Sequence, residues 1–371
     1  MANSESEKKR SNANYSNRSR TIYLVNILFL CGVTLCSLLI TVHLFRKTRR
    51  LTREIAEISG VEELYEESTQ EPEGRSGEAV YTSSQIEKIK ADARHSERSS
   101  ILLDIQSAFE SGKSTTAMLR ELYPGDLVVV NNGSYYFFPV QKDLRASGFE
   151  ETDFAPDENG MMTYVGSSGS VSVSRGIDIS SVNGEVDWQK VAEDQVAFAI
   201  VRAVYWNRDR ELTVDERFVE NMGGALGAGL RAGCYVDLEA ESPEEAEQAA
   251  RLLLDRLNLS ASEIGMPIAV RVQIPGQESS ISIAAKEEWT ANVIAFCEVI
   301  RAAGYETMIY ANMAAFNMLL NLRELEDYDK WIADTGSYLY FPYRFRCWQY
   351  SMSGKVDGIK GDVNLDITVS E

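Results

Sequence analysis

Two short stretches hold the residues whose types could do chemistry. In "CYVDLEAES" (234–242), Asp237 and Glu239 stand two apart at the end of an apolar run, a spacing that turns both carboxyls to one side of a strand. Paired carboxyls can run general acid–base chemistry, one giving a proton while the other stays ionised. In "MPIAVRVQIPGQ" (266–277) the same geometry holds a cation and an amide instead, Arg271 and Gln273. Gln has no titratable proton, and Arg stays charged. The plainer reading of the acidic pair is structural: Asp237 pairs with Arg271 or Arg202, and Glu239 is solvated near the following helix.

Other chemistries are excluded by what the chain lacks. Its two histidines are His43 and His95, so nothing after residue 95 can build a Ser-His-Asp or Cys-His site or a zinc-peptidase motif. The five cysteines, at 31, 36, 234, 297 and 347, form neither a CxxC metal pattern nor a disulfide framework. They read as buried thiols, and no metal or cofactor is expected. Residues 1–50 carry nine Lys/Arg against Glu5 and Glu7, whereas the whole chain is −19, leaving −26 for residues 51–371. A body so acidic repels a phosphate backbone, which argues against nucleic acid as a partner.

The elements that must position these residues follow a clear order. A polar, basic tail, 1–20, precedes Thr21–Phe45, 25 residues without Asp, Glu, Lys or Arg. That is long enough for a bilayer-spanning helix and too long for the apolar core of a signal peptide. Lys/Arg flank both ends, so charge alone does not orient it. Residues 46–82 read as a juxtamembrane stalk and linker, through which self-association stays open. The 83–164 segment reads as a small module: a helix with apolar residues at Ile86, Ile89, Ala93, Ile101, Leu102, Ile105 and Phe109, then a hairpin about Asn131-Asn132-Gly133. "VGSSGSVSVS" (165–174) has the composition of a flexible linker.

From Arg175 on, strand and helix signals alternate. Strands are expected at 176–180, 197–203, 233–238, 267–272, 307–311, 330–333, 346–350 and 363–367. A helix should start behind Ser242, with Pro243 at its first position and Glu245 set for a capping box, and another should run over 284–304 to close at Gly304. Such alternation over about 197 residues predicts a compact β/α barrel.

Over nearly all of 175–371 the chain resembles glycoside hydrolase family 25, the Chalaropsis-type lysozymes or muramidases. The resemblance is carried by "RGIDISSVNGEVDWQKV" (175–191), "FAIVRAVYW" (198–206), "GALGAGLRAGCYV" (224–236), "AAGYETMIYAN" (302–312), "DYDKWIAD" (327–334) and "CWQYSMSGKVDGIKGDVNLD" (347–366). It implies an irregular, TIM-like barrel, peptidoglycan or another cell-wall glycan as partner, and a bacterial cell-surface location with the N-terminus inside and the barrel outside. It also implies acidic residues at strand ends. Asp178 keeps the first of them. Arg271 and Gln273 stand at an Asp-x-Glu pair, Asn364 stands at a final Asp with Asp366 two residues on, and Val182-Asn183 replaces a Trp-Gln.

Cleavage of a glycosidic bond needs one carboxylic acid and one carboxylate. The substitutions therefore point to a catalytically impaired barrel that binds glycan or a wall partner. Two alternatives stand beside it: an active muramidase using Asp178 with relocated Asp237 or Glu239, and a structural envelope scaffold. Tyr310 and Trp348 are expected to line the cleft as sugar-stacking aromatics.

Overall fold

The computed structural model describes residues 81–370 except 159, 261–263, 275–282 and 337. The expected tail, the Thr21–Phe45 span and nearly all of the 46–82 stalk lie outside the described residues. Among the described residues no helix is long and apolar enough to cross a membrane. The chain divides between Ser111 and Gly112 into two units, which cuts the expected 83–164 module in two.

In the first unit the described structure is helix α1, Ser83–Glu110. Thr82 caps it, accepting from the Gln85 backbone N–H while the Gln85 side chain returns a bond to the Thr82 N–H. Ile86, Ile89, Leu103 and Phe109 are all exposed on it.

The second unit opens with α2, Thr115–Leu122, and the hairpin β1, Asp126–Asn131, and β2, Ser134–Pro139. Asn131 pairs with Ser134, leaving Asn132-Gly133 as a two-residue turn with φ of 48° and 75°. That left-handed pair matches the twist of the strands, which is why Asn-Gly marks such turns. A smaller ribbon follows, β3, Phe154–Pro156, and β4, Met162–Tyr164. These elements are fastened to the barrel at 340–343. The Tyr340 hydroxyl donates to the Asp126 carbonyl and accepts from the Val128 N–H, and the Tyr343 hydroxyl accepts from the Gln141 N–H.

The remaining strands are β5, Ser172–Ile179; β6, Phe198–Trp206; β7, Leu212–Val214; β8, Arg231–Leu238; β9, Ile268–Val272; β10, Thr307–Asn312; β11, Asp329–Ala333; β12, Cys347–Gly354; and β13, Val363–Ser370. All eight expected strands are present, and β7 is an addition. The sheet runs β5-β13-β12-β11-β10-β9-β8-β6-β7, and β5 also pairs with β6, so eight strands close into a barrel with β7 outside it. Seven are parallel; β13 runs antiparallel to both neighbours. β5 starts four residues earlier than expected, with Ser172 opposite Ser370, so the end of the expected linker is strand.

Helices cover the outside: α3, Trp188–Glu193; α4, Phe218–Gly227; α5, Pro243–Ser260; α6, Ile283–Ala302; and the short α7, Met313–Met318. The Ser242 hydroxyl accepts from the Glu245 N–H at the start of α5, while the Glu245 carboxylate reaches the Glu241 N–H. Gly304, at φ 90°, follows α6 as expected.

Strand alternation divides the barrel into two cores. Inside lie Phe198, Ile200, Tyr235, Ala269, Met308, Tyr310, Trp331 and Cys347, and Tyr310 stacks on Trp331 with ring centroids 3.8 Å apart. The larger core lies between strands and helices. Gly176 sits opposite Phe198, and a Cβ there would run into the Phe198 ring, so this glycine makes room for the interior aromatic.

Candidate active site

The polar residues gather at the C-terminal ends of the parallel strands, above the aromatic floor of the barrel. Each is there because every second residue of a strand faces inward. On β5 this brings up Asp178 after Gly176; on β6, Arg202 after Phe198 and Ile200; on β8, Asp237 after Tyr235; on β9, Arg271 after Ala269; on β12, Gln349 after Cys347; on β13, Asn364 and Asp366.

Two clusters result. The first is a buried carboxyl pair. Asp178 is opposite Asn364 in register, and Asp366 lies two pairs further along, opposite Gly176. Asn364 Nδ2 donates to Asp178 Oδ1 at 3.0 Å, and Gln349 Nε2 donates to Asp178 Oδ2. Trp331 Nε1 donates to Asp366 Oδ1 at 2.8 Å. Burial pushes the Asp178 carboxyl up to about 6, against the pull of the Asn364 bond, the Arg271 charge and the Gln349 bond. Burial, and next the negative charge of Asp178, push Asp366 much further up. A hydrogen bond between the two carboxyls favours the ionised form of Asp178 and the protonated form of Asp366. No donor faces Asp366 Oδ2, and with the proton on it this oxygen becomes a donor itself. Of the two, Asp366 holds a proton more tightly than Asp178.

The second cluster alternates in charge. Arg202 Nε donates to Asp215 Oδ2 at 2.9 Å, and its Nη1 reaches Asp237 Oδ2 at 3.4 Å. Asp237 Oδ1 in turn lies 3.0 Å from Arg271 Nη1, without directed hydrogen-bond geometry. Ser181 adds its N–H and hydroxyl to Asp215, each at 3.1 Å. Two carboxylates and two guanidiniums therefore run Asp215–Arg202–Asp237–Arg271 across the barrel mouth. Burial raises the Asp237 carboxyl, with Arg271 and then Arg202 pulling the other way.

Each expected site residue has a definite place. Arg271 pairs with Asp237 rather than with Asp178, because Asp237 is its direct neighbour in register on β8. Gln273 lies just beyond β9 and is exposed, as is Glu239 just beyond β8. The Asp237–Glu239 pair is thus split: Asp237 is locked in the charge chain and Glu239 faces solvent. Two aromatic expectations are corrected. Tyr310 is 5% exposed and belongs to the barrel interior beneath Arg271, whose Cζ is 5.5 Å from the ring. Trp348 is fully buried and points outward, because its neighbours Cys347 and Gln349 take the inward positions; it packs against Phe154 and donates to the Asp334 carbonyl. An aromatic beside the mouth is Trp289 of α6.

Trp289 lines a cavity of about 500 Å³ at the ends of β8 and β9, together with Arg210, Asp237, Glu239, Glu241, Arg271, Gln273, Glu288 and Asn292. Sequence reading passed over Trp289 and Asn292 because both sit inside a helical apolar pattern. It passed over Gln349 and Asp366 as partners of Asp178, although strict alternation from Cys347 and from Asn364 marks both as inward-facing.

A closed β/α barrel with its ionisable residues at the carboxyl ends of the parallel strands is the architecture of an enzyme-type barrel. Residues 177–359 match the family model for glycosyl hydrolases family 25. The barrel is similar to that family over those residues. The autolytic lysozyme of Clostridium acetobutylicum is 29% identical over 202 residues, covering 52% of this chain and 55% of the lysozyme. The uncharacterized protein YegX of Escherichia coli is 27% identical over 206 residues, covering 52% of this chain and 68% of YegX. The chain thus spans little more than half the length of the lysozyme it matches. Among solved structures, the modular autolysin LytC from Streptococcus pneumoniae, in complex with a synthetic peptidoglycan ligand, aligns at 22% identity and a TM-score of 0.49, over 66% of this chain and 56% of that one. A family 25 glycosyl hydrolase from Bacillus anthracis aligns at 18% and 0.42, over 53% of this chain and 88% of that one.

Proposed function

We propose that the chain is a bacterial cell-surface protein that binds peptidoglycan through its barrel and does not cleave it by the family's ordinary route. The observation that carries this reading is the Arg271–Asp237 ion pair at the end of the fourth barrel strand, with Gln273 beyond it. A permanent cation at that point opposes an oxocarbenium-like transition state, and an amide there cannot protonate a leaving oxygen. Loss of general-acid catalysis alone lowers a rate by about 10²–10⁴. The glycan assignment is supported by the match to the family model and by the similarity to an autolytic lysozyme.

In this reading Thr21–Phe45 anchors the chain, with the N-terminus cytoplasmic and the barrel outside. Copies associate through the stalk and α1, whose Ile86, Ile89, Leu103 and Phe109 are exposed. The test is purified full-length protein mixed with peptidoglycan sacculi. Co-sedimentation without release of soluble muropeptides is expected; release at the rate of an active family member overturns the reading.

One observation favours a second reading, an active muramidase. Asp178, held at about 6, can exchange a proton near neutral pH. Any muropeptide release that exists should then disappear in Asp178→Asn; release that survives this variant rules out Asp178 as its source.

A further inference from the structure

The cavity beside Trp289 is not balanced in charge. Arg271 is taken up by Asp237 at 3.0 Å. Arg210 is taken up by Glu241 at 3.1 Å and by the Glu239 carbonyl at 2.8 Å. Among the described residues, that leaves the carboxylates of Glu239 and Glu288 in the cavity wall without a cation. A second, independent feature is Asn292, 3% exposed, at the same wall. Its Nδ2 donates to the Ala240 carbonyl at 2.8 Å, which fixes the amide's orientation, and its Oδ1 has no donor. A buried acceptor left without a partner costs free energy that a ligand donor would recover. Trp289 adds a half-buried aromatic surface.

These features ask for one kind of ligand: a donor-rich group with a positive charge beside an apolar face. We propose that the cavity is a subsite for an amino sugar whose amine is free and protonated. The Trp289 ring packs against the sugar and attracts the ammonium, Glu239 and Glu288 supply the countercharge, and Asn292 Oδ1 accepts a hydrogen bond from the sugar. The cavity volume falls within the range of small-ligand sites. An N-acetylated sugar satisfies Asn292 equally well but leaves both carboxylates uncompensated. The selection is therefore for glucosamine units lacking the acetyl group. This inference rests on the proposed glycan binding and specifies which glycan the barrel prefers.

The test measures affinity of the full chain for a glucosamine tetramer, for the fully N-acetylated tetramer of the same linkage, and for a lysine-containing tetrapeptide. Expected is binding of the glucosamine tetramer about tenfold tighter than the acetylated one, weakening as pH rises through the amine's titration. Glu239→Gln and Glu288→Gln, both at exposed positions that leave the fold intact, should each reduce that preference, and together abolish it. Asn292→Leu should weaken both tetramers alike. Equal or tighter binding of the acetylated tetramer overturns the inference and leaves the glycan-binding reading standing. Binding of the lysine peptide as tight as the glucosamine tetramer overturns the sugar assignment. Binding of neither tetramer overturns both the inference and the reading beneath it.

Discussion

Arg271 lies 3.0 Å from Asp237 across the β8–β9 pair, where the parallel register makes the two residues direct neighbours. The contact joins Arg271 to a chain that continues through Arg202 to Asp215. A site at which the family resemblance implies negative charge is here balanced by internal pairing.

Removing Arg271 should therefore cost stability. Arg271→Gln leaves Asp237 with Arg202 alone and should destabilise by about 1–2 kcal/mol, and Arg271→Asp by about 3 kcal/mol, since it sets a like charge beside a largely buried carboxylate. Gln273→Glu, at an exposed position, should change stability by less than about 0.5 kcal/mol. Denaturant midpoints of the three variants check the order. If the family route is blocked only by these substitutions, Arg271→Asp, Gln273→Glu and Asn364→Asp together should raise muropeptide release at least about tenfold over wild type.

The carboxyl pair makes a prediction about pH. Folding raises the pKa of both Asp178 and Asp366, so the folded chain keeps protons that the unfolded chain releases. Their stabilising contribution is complete below the ordinary Asp value near 4; Asp178's share is lost as pH rises through about 6, and Asp366's goes on being lost above that. Asp366→Asn imitates the protonated acid, keeping an acceptor for Trp331 and a donor for Asp178. Its stability relative to wild type should grow by about 1.4 kcal/mol per pH unit between roughly pH 4.5 and 6.5. A flat difference across that window would count against the shared proton.

Gly176 and Phe198 should behave as a coupled pair. Gly176→Ala places a methyl against the Phe198 ring and should cost about 2–3 kcal/mol, whereas the same change in a Phe198→Leu background should cost distinctly less. A double-mutant cycle measures the coupling; additivity would mean the ring moves aside without cost.

The aromatics should separate by role. Trp289→Ala should weaken glycan binding by about tenfold and, being half-buried, lower the melting temperature less than either core variant. Tyr310→Ala and Trp348→Ala should each lower stability by about 3–5 kcal/mol, because both are core side chains. Binding isotherms and thermal melts on the same three proteins make the comparison.

Much of this was legible in the residue order. Alternation of strand and helix signals located all eight barrel strands, Asn132-Gly133 marked its turn, and Ser242-Pro243 marked the start of α5. Arg202 and Arg271 could be named from the chain alone as partners of Asp237. Other details depended on which side of a strand a residue faces. Trp348 missed the cleft by one position of alternation, and Tyr310 faces inward but lies a layer too deep.

The sequence by itself determined the barrel, because its periodicities are local and each strand carries its own signal. It also placed a guanidinium and an amide, Arg271 and Gln273, at the end of the fourth strand, where the family resemblance implies acids. Only the tertiary structure decided what these two side chains meet. Pairing of β13 with β5 and β12 sets Asp178 beside Asn364 and Gln349, and the register of β6, β8 and β9 sets Arg202, Asp237 and Arg271 in a row that Asp215 extends. Those contacts join residues up to 186 positions apart in the chain. Their burial follows from closure and has no counterpart in any single strand.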